Sequence, residues 1–163
     1  MNDPLQKKLK ENRKRGVRQK LEQELTSLRS KGLHYKYGDA DESKRLLHTV
    51  LSYDEKKAKI ELEMETVDEA RQLVLKTINK LEPNQLTSHI YLFHEESDIT
   101  GALSMKVSEC VMHMDELFDF IQYEDGRLMN SFMILEPNGR FAICLFHTEY
   151  GQELLYVNHQ VIE

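Results

Sequence analysis

Three apolar stretches near the C-terminus constrain this chain more than any other feature. Residues 127–135, 141–147 and 154–159 read as strands, separated by Glu136-Pro137-Asn138-Gly139 and Glu149-Tyr150-Gly151-Gln152. Each separator carries a glycine, which reaches positive φ without steric cost, and Pro137 pre-sets φ in the first. Strands joined by such short turns pair antiparallel, so the segment is expected to form a three-stranded meander. In the middle strand Phe141, Ile143 and Leu145 point one way and Ala142, Cys144 and Phe146 the other. Both sets are apolar, so the strand is expected inside a sheet covered on both faces. One cover is the chain's own helices. The second is either more of the same chain or another copy of it, which makes a homodimer one candidate assembly.

The rest of the chain supplies those helices. Asp3 and Pro4 suit the N-cap and first position of a helix that carries Leu5, Leu9, Val17, Leu21, Leu25 and Leu28 mostly at spacings of three and four. Gly16 and the polar pair Asn12-Arg13 interrupt the stripe, so two halves are expected, with only residues 17–30 packed on the body. Residues 31–41 read as a linker. Residues 46–53 and 58–64 read as a hairpin, the second piece alternating Ala58, Ile60, Leu62 and Met64 with Lys59, Glu61 and Glu63. The first piece also fits a helix beginning at Asp41 or Ser43. Thr66 with Glu69 makes a capping-box pattern ahead of a helix over 67–81, stopped by Pro83. Residues 88–94 read as a strand, 95–98 as an acidic loop, 103–112 as a further strand and 115–121 as a short acidic helix. Leu-Glu-Pro-Asn occurs at 81 and again at 135 in unrelated flanks, a turn used twice rather than a repeat. The fold class is therefore α+β: an antiparallel sheet of five or six strands, packed against two or three helices, plus a long basic N-terminal helix.

Charge divides the chain unevenly. Residues 1–32 hold ten Lys/Arg against four Asp/Glu, and residues 33–163 hold twelve against twenty-four. The organisation is thus a basic arm over 1–32 and one acidic α+β domain over 33–163. Eight cations fall within 7–20 against Glu11 alone. Among them Lys7, Lys8, Lys10, Arg13, Lys14, Arg15 and Arg18 are candidate phosphate contacts for a nucleic acid. The arm has no interleaved aromatics and too few bulky apolar residues for a membrane surface. The longest apolar run, 141–146, is far short of the roughly 20 residues of a membrane span. Together with a charged N-terminus lacking a secretory pattern, and with Cys110 and Cys144 outside any CxxC spacing, this makes a cytoplasmic location with reduced thiols the expectation.

Catalytic and cofactor signatures do not emerge. His89 and His94 are five residues apart, an odd spacing that sends strand side chains to opposite faces. His113 with Asp115 lacks further ligands, and there is no HExxH, GxSxG, GxGxxG or GxxxxGK[ST]. No metal and no cofactor is expected. The acidic clusters Glu95/Glu96/Asp98 and Asp115/Glu116/Asp119 are the candidate binding surface instead, since such a face steers a basic partner. The reading is a non-catalytic cytoplasmic protein-binding module, of the immunity or antitoxin type in its most concrete form. A nucleic-acid-associated regulator acting through the arm is second. An enzyme with a scattered site is third.

Overall fold

The computed structural model describes residues 3–54, 60–62, 66–122, 131–148 and 151–158. Among them, seven strands form one sheet in the order β1-β4-β3-β5-β6-β7-β2, with every neighbouring pair antiparallel. The strands are β1 Lys36–Tyr37, β2 Ile60–Leu62, β3 His89–Leu92, β4 Leu103–Lys106, β5 Phe132–Leu135, β6 Phe141–Thr148 and β7 Gly151–Asn158. The helices are α1 Pro4–Ser30, α2 Ala40–Asp54, α3 Val67–Ile78, α4 Pro83–Leu86, α5 Ser97–Thr100, α6 Val107–Met112 and α7 Met114–Gln122.

The meander forms as expected. β5, β6 and β7 pair through Ile134↔Ile143 and Ile143↔Tyr156, and Gly139 turns the first corner at φ 75°. The expected strand positions 127–130 and 159, and the turn residues 149–150, lie outside the described residues. The turn at 136 is held by a buried carboxylate. Glu136 accepts hydrogen bonds from the backbone N–H groups of Asn138 (2.9 Å) and Arg140 (3.0 Å) and from both their side chains. The same tetrapeptide at 81 instead opens α4, where Glu82 and Gln85 cap each other.

Both faces of β6 are buried over residues 141–145. Phe141, Ile143 and Leu145 join a large core with Leu21, Leu25 and Leu28 of α1, Val74 and Ile78 of α3, and Leu117, Phe118 and Ile121 of α7. Ala142 and Cys144 join a second core with Leu46 of α2, Tyr91, Phe93, Leu155 and Val157. Phe118 stacks on Phe132 with centroids 4.2 Å apart. The chain's own α2 thus supplies cover on the second face.

That finding corrects the hairpin expected over 46–64. Residues 46–53 belong to α2, because Leu46 and Leu47 lie on the helical face that closes the second core. Asp39 starts the helix by accepting from the N–H of Glu42 at 2.9 Å. The partner of β2 is not 46–53 but the edge of β7, through Ile60↔Leu154. Of the second hairpin piece, 58, 59, 63 and 64 lie outside the described residues.

Three further expectations change. The linker over 31–41 contains β1 and the start of α2. The strand over 103–112 ends at Lys106 and continues as α6, which buries Val107 and Cys110. The N-terminal helix does not break at Gly16 but runs unbroken through 27 residues, with Asp3 accepting from the N–H of Leu5 at 3.1 Å. The helix expected over 67–81 is found as α3, capped by Thr66 as its pattern predicts, but it ends at Ile78, and Pro83 opens α4 rather than stopping α3. No described helix is long and apolar enough to cross a membrane.

Candidate functional site

The acidic clusters reach one surface by two routes. Glu95 and Glu96 follow β3 in a tight turn. Ser97 Oγ accepts from the N–H of His94 at 2.8 Å, and the N–H of Ser97 donates to the His94 carbonyl at 3.1 Å. The imidazole of His94 completes the turn. Its Nδ1 accepts from the N–H of Glu96 at 3.2 Å, so Nε2 carries the proton it donates to the Gly101 carbonyl at 2.9 Å. Burial pushes this histidine below its usual value of 6.5, outweighing the opposing effects of the Gly101 carbonyl and Asp98.

Glu116 and Asp119 arrive on α7. Leu117, Phe118 and Ile121 bury one face of this helix, which turns Glu116 and Asp119 outward. Glu116 pairs with Lys31 at 3.3 Å. Its carboxyl is held below the usual range by a backbone hydrogen bond at its own position and, secondarily, by Lys31.

Between the turn and α7 lies a groove of about 670 Å³ whose long wall is the second half of α1. Glu95, Glu96, Glu116 and Asp119 line it, together with Lys20 and Glu24 of the helix and Lys31 at its C-cap. Val17, Leu21, Leu28, Phe120 and Ile121 supply its apolar surface. The remaining two acids in the expected surface sit elsewhere. Asp98 is exposed on α5, and Asp115 pairs with Arg71 Nε at 3.1 Å, the same guanidinium that contacts Asp68. The α1 wall is what the sequence reading left out. Val17, Leu21 and Leu28 were visible as helix-face residues, but nothing in their spacing tells which surface they confront.

The basic arm also divides. Lys7, Lys8, Lys10, Arg13 and Arg15 are exposed on the first half of α1, and Lys14 is half-buried. Arg18 is built into the fold: its Nη2 donates to the Thr100 carbonyl at 3.2 Å, and its guanidinium lies 4.7 Å over the ring of Tyr37. Beside it, Glu22 accepts from the hydroxyl of Tyr37 at 2.8 Å, the hydroxyl of Tyr35 at 3.3 Å and Arg29 at 3.2 Å. Burial and the hydrogen bond to Glu22 raise the Tyr37 hydroxyl far above its usual value. This cluster fastens β1 to α1.

His89 is exposed at the start of β3. His113 is buried, with Nε2 3.9 Å from a Glu109 carboxylate and no hydrogen bond to that nitrogen. Among the described residues no group of three or more His, Cys, Asp or Glu could hold a metal. Cys110 and Cys144 are free and fully buried, on opposite faces of the sheet, and burial pushes the Cys110 thiol up to about 12.

The sequence model of the YxiF protein family matches residues 17–157, a segment that contains every residue lining the groove. The uncharacterized protein YxiF of Bacillus subtilis (strain 168) is 33% identical over 156 residues, spanning 96% of this chain and 99% of that protein. No solved structure matches. By the length of both matches, the chain belongs to the YxiF family.

Proposed function

We propose that this protein is a non-catalytic cytoplasmic binding module whose contact surface is the acidic-rimmed groove between α1, α7 and the turn at 94–96. One observation carries the reading: carboxylates from two segments twenty residues apart, Glu95/Glu96 and Glu116/Asp119, line one groove with an apolar floor. An apolar floor gives affinity, and a rim of one dominant sign selects a basic partner and speeds its encounter. Glu95 and Asp119 are exposed and Glu96 and Glu116 half-buried, which suits a contact rim better than a tuned general acid or base. Inhibition of a basic toxic protein, as by an immunity protein or antitoxin, is the most concrete form of this activity.

The test uses a lysine-rich peptide and a set of small basic proteins as calorimetric probes. Glu95→Lys with Asp119→Lys is expected to weaken binding at least tenfold, while removal of residues 1–16 leaves the groove able to bind. Unchanged binding by the charge-reversed protein removes the groove from the reading. A second reading is favoured by the exposure of Lys7, Lys8, Lys10, Arg13 and Arg15 along one projecting helix: salt-sensitive nucleic-acid binding. It predicts that removal of residues 1–16 abolishes retention of mixed DNA and RNA, and that Arg18→Ala acts through stability rather than phosphate contact.

A further inference from the structure

The first half of α1 has features that the isolated chain leaves without a use. Leu5 and Leu9 are 61% and 54% exposed. Gly16 sits mid-helix, where glycine is unfavourable relative to alanine, yet an added Cβ there would meet nothing within 4 Å. These three positions fall on one stripe, at steps of four and seven, and the same stripe continues through Lys20 and Ser27 into the lining of the groove.

Charge and length match as well. Residues 4–16 carry Lys7, Lys8, Lys10, Arg13, Lys14 and Arg15 against Glu11, six less one, or +5. The groove lining carries five acids against Lys20 and Lys31, or −3 with histidine neutral. At 1.5 Å per residue, the basic half spans about 18 Å and the groove wall over 17–30 about 20 Å.

We infer that the groove's resident occupant is the basic half of α1 from a second copy of this chain. The two α1 helices lie antiparallel about a two-fold axis between residues 16 and 17. Such a contact is isologous, so each chain gives one arm and receives one. It brings the Leu5–Leu9 turn of one chain to the stretch from Glu24 to Leu28 of the other, and the lysines to the acidic rim. The backbones cross at Gly16, where the missing side chain allows close approach. A basic partner reaches the groove by displacing the arm. The inference rests on the groove being a docking surface, as proposed above.

Sedimentation of the full chain over the micromolar range tests it. The expected result is twice the chain mass at low salt, shifting toward the chain mass at high salt as the charges are screened. An arm variant with Lys7, Lys8 and Lys10 changed to Glu, and a groove variant with Glu95, Glu96 and Asp119 changed to Lys, are each expected to be monomeric. Mixed together they restore the dimer, because each arm then meets a groove of opposite sign. Gly16→Leu is expected to give a monomer that melts higher than its own unassociated parent, since leucine favours the helix but blocks the crossing. A dimer that persists in both charge variants, or a mixture that stays monomeric, overturns the inference. So does a monomeric full chain at low salt. In that case an octalysine peptide separates the two claims: binding to the groove leaves the docking surface standing without the second copy, and no binding removes both.

Discussion

At the scale of single residues, two positions carry consequences that can be measured directly. Gly101 has φ +87°, and a Cβ there would drive into the carbonyl oxygen of Gly38, on a chain segment fixed by the hydrogen bond from Gly38 N–H to the Ala102 carbonyl (2.8 Å). Neither backbone has a flexible end that can yield. Gly101→Ala is therefore expected to cost about 3 kcal/mol or more in a urea titration. A loss under 1 kcal/mol shows that the two segments part easily. His94 gives a pH effect. In the neutral form both ring nitrogens are satisfied, but a protonated Nδ1 points a hydrogen at the N–H of Glu96. Its folded pKa is depressed, so the unfolded chain takes up its proton first as pH falls through 6.5. Unfolding free energy then rises with pH across this window and drops on acidification. Glu116, also depressed, adds a loss of the same sign at lower pH, below 4.5. His94→Asn is expected to flatten the profile between about pH 5 and 7, with the low-pH loss retained. An unchanged slope there assigns the effect to other groups.

At the scale of elements, α1 and α2 hold the same sheet from opposite sides by different means. α2 closes the second core through Leu46, which is 4% exposed. Leu46→Ala should cost about 2–4 kcal/mol. It should also speed thiol labelling at Cys144, which shares that core, while Cys110 under the other helices stays protected as an internal control. Equal acceleration at both thiols means that the two faces open together. α1 is anchored by Leu21, Leu25 and Leu28 and by Arg18 over Tyr37. Arg18→Ala removes a cation–π contact and a charged hydrogen bond to Thr100, about 1–2 kcal/mol in thermal melts. Arg15→Ala, on the exposed face, should stay within about 0.5 kcal/mol. Equal effects would erase the distinction between the anchored and projecting halves.

At the scale of the whole molecule, stability is expected to fall away from β6 in both directions. Its central residues Ile143, Cys144 and Leu145 are fully buried between two cores and paired on both sides. Their amides should show the slowest hydrogen exchange in the chain, and those of residues 5–15 on α1 the fastest among helical amides, unless a second copy covers them. Several elements follow from the residues alone, wherever a cap, a turn or a two-sided pattern is complete within a few positions. Pro137 and Gly139 mark the first meander turn, Thr66 and Glu69 start α3, Asp3 and Pro4 start α1, and the two-sided apolar pattern of 141–146 requires a sheet covered on both faces. Tertiary structure decided whatever depended on a distant neighbour. Leu46 and Leu47 are compatible with strand or helix in isolation, and the uncovered face of β6 selects the helix. β2 pairs with β7 rather than with the segment just before it, since pairing follows the open sheet edge and not sequence order. The groove unites residues 17–31, 94–96 and 116–121, separations of up to about a hundred residues. No local periodicity encodes such a junction, because a helical stripe states that a face is apolar and leaves its partner to the packing of the whole chain.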